Sequence, residues 1–66
     1  MVKVKFDLAA LRKQHGLTQS ELARKLGFSR SYIAMIEAKK QGFSKRVMHE
    51  IIKHFDVDYE DFYFHE

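Results

Sequence analysis

Apolar residues recur at spacings of three and four along most of the chain, a period that predicts short amphipathic helices. Leu8 and Leu11 mark the inner face of the first helix. Asp7 is a favourable N-cap before it, and Gly16 is a favourable residue just past its end. The pattern predicts four helices and a tail, over about residues 8–15, 18–26, 30–38, 44–55 and 56–66.

The second and third predicted helices are separated by only a short turn. TQSE over residues 18–21 fits a capping box, with a hydroxyl and a carboxylate that satisfy backbone N–H groups reciprocally. Gly27 suits the end of this helix because glycine adopts a left-handed conformation at low cost. Ser29 can cap the next helix, and Ala23 is small enough for two helices to cross closely. These features are typical of a helix-turn-helix.

The two ends of the chain carry a different pattern. VKVKF over residues 2–6 alternates apolar and basic residues, which predicts a short strand or an extended arm. DFYFH over residues 61–65 is compatible with a last helical turn or with a second strand. The two segments could pair as a ribbon, within one subunit or across a dimer. The predicted fold class is all-α with four to five short helices, and a terminal β-ribbon is an open alternative.

The predicted core consists of the apolar positions on the inner faces of these helices. In the third helix they are Ile33 and Ile36. In the fourth helix the stripe is Val47, Met48, Ile51, Ile52 and Phe55. In the tail, Val57, Tyr59 and Phe62 are the expected core anchors.

The composition excludes several classes of protein. A chain of 66 residues is one domain at most, and it is too short for a deep catalytic cleft. It has no Cys, which excludes disulfides and thiolate metal sites and suits a reducing cytosol. Its four His lack metal-ligand spacing, and no nucleophile–base pair or phosphate loop is present. No apolar run could span a bilayer or act as a signal peptide. We therefore expect a cytoplasmic protein that is not an enzyme and uses no metal or cofactor.

Charge is distributed unevenly along the chain. Residues 1–54 carry all 12 Lys and Arg against four acids, whereas residues 55–66 carry five acids and no Lys or Arg. A basic body followed by an acidic tail indicates a polyanion as the partner of the body.

The segment LTQSELARKLGFSRSYIAMIE over residues 17–37 resembles the Xre/Cro-type helix-turn-helix family, which includes the lambdoid phage repressors. The positions that match the family pattern are Gln19, Leu22, Ala23, Leu26, Gly27, Phe28, Ile33, Ile36 and Glu37. The resemblance covers about residues 8–62 without gaps. It implies a lambda repressor-like domain that binds double-stranded DNA.

The chain departs from the family after Glu37. Ala38 and Lys39 stand where Asn-Gly is usual, and Phe43 stands where Pro is often found. Lysine adopts a left-handed conformation less easily than glycine. We therefore expect either a longer third helix or another path for the loop.

The resemblance also implies roles for residues around the third helix, which would enter the major groove. The implied base-contacting residues are Ser29, Arg30, Ser31 and Met35. Arg30 is the strongest candidate, because its planar fork can bond guanine O6 and N7 together. The candidate phosphate-contacting residues are Gln19, Tyr32, Lys39, Lys40, Ser44, Lys45 and Arg46. Arg12 and Glu37 match family positions that form a structural salt bridge.

Family members usually bind palindromic sites as dimers. Three consecutive aromatic residues cannot all face inward, so Phe62, Tyr63 and Phe64 are candidates for a homodimer interface. The predicted function is that of a small Cro-like repressor. Two alternatives use the same fold: an antitoxin or other partner-binding subunit that holds a protein through its aromatic tail, and a structural protein that binds DNA with little specificity.

Overall fold

The structure, a computed structural model, describes residues 2–4 and 6–65 and the side chains of residues 6–62. In chain order the elements are β1 (Val2–Val4), α1 (Leu8–Gln14), α2 (Gln19–Leu26), α3 (Arg30–Glu37), α4 (Lys45–His54), a 3₁₀ helix (Tyr59–Phe62) and β2 (Tyr63–His65). The four α-helices confirm the predicted fold class, and their ends differ from the predicted ones by no more than one residue.

The described residues divide into two compact units. The first is Asp7–Gly42, and the second comprises the described residues before Asp7 and after Gly42. In the part of the chain that the structure describes, no helix is long and apolar enough to cross a membrane.

Side-chain caps fix where the helices of the first unit begin. Asp7 caps α1 through its carboxylate. At the start of α2, the Glu21 N–H donates to the Thr18 hydroxyl at 3.1 Å, and the Thr18 N–H donates to the Glu21 carboxylate at 2.8 Å. The Ser29 hydroxyl accepts from the N–H of Tyr32 at 3.1 Å and caps α3. Each cap satisfies an N–H that the helix leaves unpaired, and such a cap stabilises a protein by about 1 kcal/mol.

The first unit is a three-helix arrangement in which α3 packs against both α1 and α2. Its buried side chains are Leu8, Leu11, Leu22, Ala23, Leu26, Ile33 and Ile36. Gly27 ends α2 with a φ of +82°, and the N–H groups of Gly27 and Phe28 both donate to the Ala23 carbonyl. The helix-turn-helix predicted from the short turn is therefore formed.

The inner face of α4 forms part of the core of the second unit. Val47, Met48, Ile51 and Phe55 are buried as predicted, whereas Ile52 is half-buried. The Ser44 hydroxyl caps α4 by accepting from the Val47 N–H at 3.2 Å. The helix thus begins directly after Ser44, two residues before its first buried residue, Val47.

Three aromatic rings pack together in the second unit. The rings of Phe6, Phe43 and Phe62 have centroids 4.5 to 5.8 Å apart, in tilted and edge-to-face arrangements. Phe62 is fully buried, as expected for a core anchor. Its burial corrects its assignment to a dimer interface, because a side chain inside its own core is not available to a second subunit. The side chains of Tyr63 and Phe64, the other two interface candidates, lie outside the described ones.

The ends of the described chain form a two-stranded antiparallel ribbon. Val2 lies opposite His65 and Val4 opposite Tyr63. The terminal ribbon is therefore present and forms within one chain. The 3₁₀ helix before β2 contacts both β2 and α4. Packing against helical structure gives a short ribbon support that it lacks in isolation.

One prediction about local structure is wrong, and one of two alternatives for another segment is excluded. Tyr59 is 48% exposed and is not a core anchor, because it opens a 3₁₀ helix whose buried residue is Phe62. Of the two alternatives for the segment after Glu37, the longer third helix does not form. The helix α3 ends at Glu37, since Lys39 itself adopts the left-handed conformation with a φ of +64°.

Candidate nucleic-acid interface

The predicted base-contacting residues lie at the N-terminal end of α3 and along its outer face. Ser29, Arg30 and Ser31 are exposed around the first turn, and Met35 is 42% exposed one turn further along. The inner face is buried in the core of the first unit. The buried face fixes which way the helix is turned, so Arg30, Ser31 and Met35 share a solvent-facing surface. Ser29 lies at the N-terminal end of this surface, where its hydroxyl caps α3.

A salt bridge joins α1 to the end of α3. Arg12 Nε donates to Glu37 Oε2 at 2.7 Å, and Nη2 donates to Glu37 Oε1 at 3.1 Å. Arg12 Nη1 also donates to the Leu17 carbonyl at 2.9 Å. The Arg12–Glu37 pair expected from the resemblance is thus present. The three hydrogen bonds of Arg12 hold its guanidinium in one orientation, and the two that go to Glu37 hold the C-terminal end of α3 in place.

The environment of this pair shifts both pKa values. Burial by itself raises the pKa of the Glu37 carboxyl, but hydrogen bonds from Arg12 and Gln19, together with the Arg12 charge, outweigh burial and lower it. The hydrogen bond to Glu37 raises the pKa of Arg12. Both groups are therefore charged at neutral pH.

Gln19 extends this network to Arg30, one of the predicted base-contacting residues. Its Nε2 donates to Glu37 Oε1 at 3.0 Å, and its Oε1 accepts a long hydrogen bond of 3.5 Å from Arg30 Nη1. A side-chain amide has two N–H donors, so one remains for a ligand. Sequence reasoning missed both contacts, because the partners are 18 and 11 residues apart and no local pattern relates them.

An aromatic pair lies beside the first turn of α3. The rings of Phe28 and Tyr32 have centroids 5.2 Å apart and planes inclined by 33°. Phe28 is in the turn between α2 and α3, and both residues are half-buried. Sequence reasoning did not predict this contact, although the spacing of four residues was a signal that could have indicated it.

The end of α3 presents two exposed lysines. The Lys39 N–H donates to the Ile36 carbonyl at 3.0 Å, and the Lys40 N–H donates to the Met35 carbonyl at 2.9 Å. This is the pattern of a helix end that usually takes glycine at the left-handed position. Here Lys39 occupies it, and a left-handed conformation costs a residue with a side chain about 1 kcal/mol.

The remaining phosphate candidates belong to the second unit. Ser44, Lys45 and Arg46 are exposed at the start of α4. Since the Ser44 hydroxyl accepts the Val47 N–H, it serves as the helix cap in this structure. Further along α4, His54 Nε2 lies 3.5 Å from Glu50 Oε1. Among the described residues, no group of three His, Asp or Glu side chains is arranged to hold a metal ion.

Comparison with known proteins agrees with this geometry. A family model described as Helix-turn-helix matches residues 8–62. The chain is also 41% identical, over 63 residues, to an uncharacterized HTH-type transcriptional regulator of Methanocaldococcus jannaschii. That match covers 96% of each chain. The chain therefore belongs to the Xre/Cro-type helix-turn-helix family of transcriptional regulators, and it is not an enzyme.

Proposed function

We propose that this chain is a sequence-specific repressor that binds a palindromic DNA operator as a homodimer. The observation that carries the proposal is the outer face of α3, where Arg30 and its small polar neighbours Ser29 and Ser31 are exposed at the N-terminal end. In helix-turn-helix proteins, the N-terminal residues of this helix contact base edges in the major groove.

Arg30 is the proposed reader of a guanine. Its guanidinium carries five N–H donors in a planar fork, which matches the O6 and N7 acceptors of guanine. In the free protein it makes one hydrogen bond of 3.5 Å to Gln19, which is at the long limit for such a bond. Little interaction energy is therefore lost when Arg30 turns to a base. A bidentate contact contributes about 1–3 kcal/mol of discrimination.

The candidate phosphate contacts are distributed over both units. In the first unit they are Gln19, Tyr32, Lys39 and Lys40, and in the second they are Ser44, Lys45 and Arg46. Each lysine or arginine that neutralises a phosphate releases counterions, so the affinity falls as salt is raised. Gln19 retains one N–H for a phosphate while the other holds Glu37.

A dimer would bind two half-sites about 34 Å apart, one turn of the DNA duplex. Since Phe62 is buried, the interface falls to other parts of the second unit. Tyr59 is exposed and replaces Phe62 as a candidate, and Tyr63 and Phe64 remain proposals. A protein bound over a promoter excludes polymerase, which makes repression the simplest outcome. Such a protein acts where the DNA is, in the cytosol.

The exposed Tyr59 also favours a second candidate function. Tyrosine is enriched in protein interfaces, and an exposed aromatic ring in a short chain fits a surface that holds another protein. In this alternative the chain is the DNA-binding partner in a complex of the antitoxin type. A homodimer that binds DNA without any other protein would argue against this alternative.

Selection of bound sites from random duplex DNA, at near-physiological salt, tests the proposal. A palindrome that contains conserved guanines should be enriched. These guanines should no longer be selected in Arg30→Lys, because lysine keeps the positive charge but lacks the planar guanidinium with its paired donors. Arg24→Lys, an exposed change on α2, is the matched control and should select the same site. Failure of the unaltered protein to enrich any sequence would refute the proposal.

A further inference from the structure

The outer face of α3 has two edges that are held in different ways. Arg30 and Tyr32 are two residues apart, so they lie about 200° apart around a helix with 3.6 residues per turn. The buried side of α3 faces the core, which leaves these two residues at opposite borders of the exposed face. Arg30 lies on the edge with Gln19, whereas Tyr32 lies on the edge with Phe28.

Phe28 limits the directions in which Tyr32 can point. The two rings are in tilted contact at 5.2 Å, and both side chains are half-buried. The backbone beneath Tyr32 is also held, since its N–H donates to the Ser29 cap. A tyrosine that packs its ring on an apolar neighbour keeps its polar hydroxyl at the rim, where a ligand can reach it.

We propose that Phe28 is a positioning residue for Tyr32. It orients the Tyr32 hydroxyl toward a phosphate of one DNA strand, while Gln19 contacts the other strand on the opposite side of the major groove. The inference rests on the proposed DNA-binding function. A helix in the major groove lies between two phosphate backbones, one beside each edge of its outer face. The Gln19 edge would meet one backbone, and the Phe28–Tyr32 edge would meet the other.

In this arrangement the aromatic ring of Phe28, and not only its apolar character, contributes to DNA binding. Contacts to both backbones would fix the depth and rotation of α3 in the groove, and so the register of Arg30 on the bases. Leucine at position 28 would keep the turn apolar, but it has no flat ring against which the phenol can rest. The Tyr32 hydroxyl would then sample more orientations and lose part of its hydrogen bond to the phosphate.

A double-mutant cycle tests the coupling of the two residues. Affinity for the selected duplex is measured at fixed salt for Phe28→Leu, Tyr32→Phe and the double variant. Tyr32→Phe should weaken binding about tenfold, the value of a hydrogen bond to a charged group. Phe28→Leu should weaken it severalfold in the unaltered background and have almost no effect when Tyr32 is already Phe. Thermal unfolding of each variant shows whether the domain remains folded at the assay temperature.

Phe43→Leu is the matched control, because it also replaces a half-buried ring that packs on aromatic neighbours. Its effect on affinity should be the same with and without Tyr32→Phe. A Phe28→Leu effect that is equally large in both backgrounds would overturn the proposal, since it would then reflect only packing in the turn.

Neutral methylphosphonates, placed one at a time along the duplex, locate the contact. When the methylphosphonate replaces the phosphate that Tyr32 contacts, Tyr32→Phe should no longer weaken binding. Gln19→Ala should likewise lose its effect on affinity at one position, and that position should be on the strand across the groove. Both effects vanishing on the same strand would overturn the inference while leaving DNA binding intact. Absence of binding by the unaltered protein would overturn both this inference and the proposed function.

Discussion

Arg12 of α1 and Glu37 of α3 are joined by two hydrogen bonds, of 2.7 Å and 3.1 Å, between guanidinium and carboxylate. Only 15% of the Arg12 side chain and 8% of the Glu37 side chain are exposed, so water screens the pair weakly. Gln19 adds a third hydrogen bond to the same carboxylate. One carboxylate therefore ties all three helices of the first unit together at the end of α3.

Replacing Arg12 with Met should destabilise the protein strongly, because Glu37 would retain a poorly hydrated charge without its cation. The expected loss is about 3 kcal/mol in the free energy of unfolding, measured by urea denaturation at neutral pH. Arg24→Met, an exposed change on α2, should stay within about 0.5 kcal/mol of the unaltered protein. Equal losses in the two variants would contradict a structural role for the salt bridge.

The stability of the protein should fall in acid because of Glu37. Its pKa in the folded state lies below the ordinary value of 4.5. The stabilisation is therefore fully present above the unfolded pKa and is lost as pH falls through the folded one. Glu21, whose pKa is lowered by the backbone N–H of Thr18, acts in the same direction. The free energy of unfolding, measured against pH by urea denaturation, should decline below about pH 4.5.

Nuclear magnetic resonance titration of the Glu37 carboxyl checks the cause of this decline. In Arg12→Met its pKa should rise, because burial then acts with less opposition from hydrogen bonds and charge. A Glu37 pKa that is unchanged in this variant would show that Arg12 does not set it.

Replacing Lys39 with Gly should stabilise the protein but weaken DNA binding. The change relieves about 1 kcal/mol of left-handed strain, partly offset by the greater freedom of glycine in the unfolded chain, which leaves a net gain of about 0.5 kcal/mol. Losing a cation near phosphates should lower the affinity and the slope of its salt dependence. Urea denaturation and binding titrations at several salt concentrations measure the two effects.

Lys40→Gly is the control for this prediction. Lys40 lies next to Lys39 and is exposed, but it does not have a positive φ. Glycine there should not stabilise the protein, because it relieves no strain and adds freedom to the unfolded chain. A Lys39→Gly protein that gains stability and keeps its full affinity would show that Lys39 makes no contact with DNA.

Replacing Gln19 with Glu should impair both stability and binding. The new carboxylate would stand within hydrogen-bond distance of Glu37 and close to the expected phosphate, so it would repel both. Gln19→Ala removes the hydrogen bond to Glu37 without adding charge and should lower stability by about 1 kcal/mol. The Glu variant should be the worse of the two in urea denaturation and in DNA titration. If the two variants were equally stable and bound DNA equally well, the added charge would have no effect, which would mean that water screens the site.

Much of the helical framework could be predicted because its causes are local. The period of apolar residues gives the helices, and the capping box at Thr18 and Glu21 depends on groups three residues apart. The Arg12–Glu37 pair was also predicted, but through the family resemblance and not from spacing, since 25 residues separate the partners.

The sequence by itself determined the helix-turn-helix, its caps and the face of α3 that carries Arg30, because each follows from neighbours within a turn of helix. Only the tertiary structure decided that Gln19 links Glu37 to Arg30 and that Lys39 takes the strained position itself. It also decided that, of two nearby aromatic residues, Phe62 is buried and Tyr59 exposed. These outcomes depend on which side chains meet across the fold, and residue spacing along a chain does not specify that.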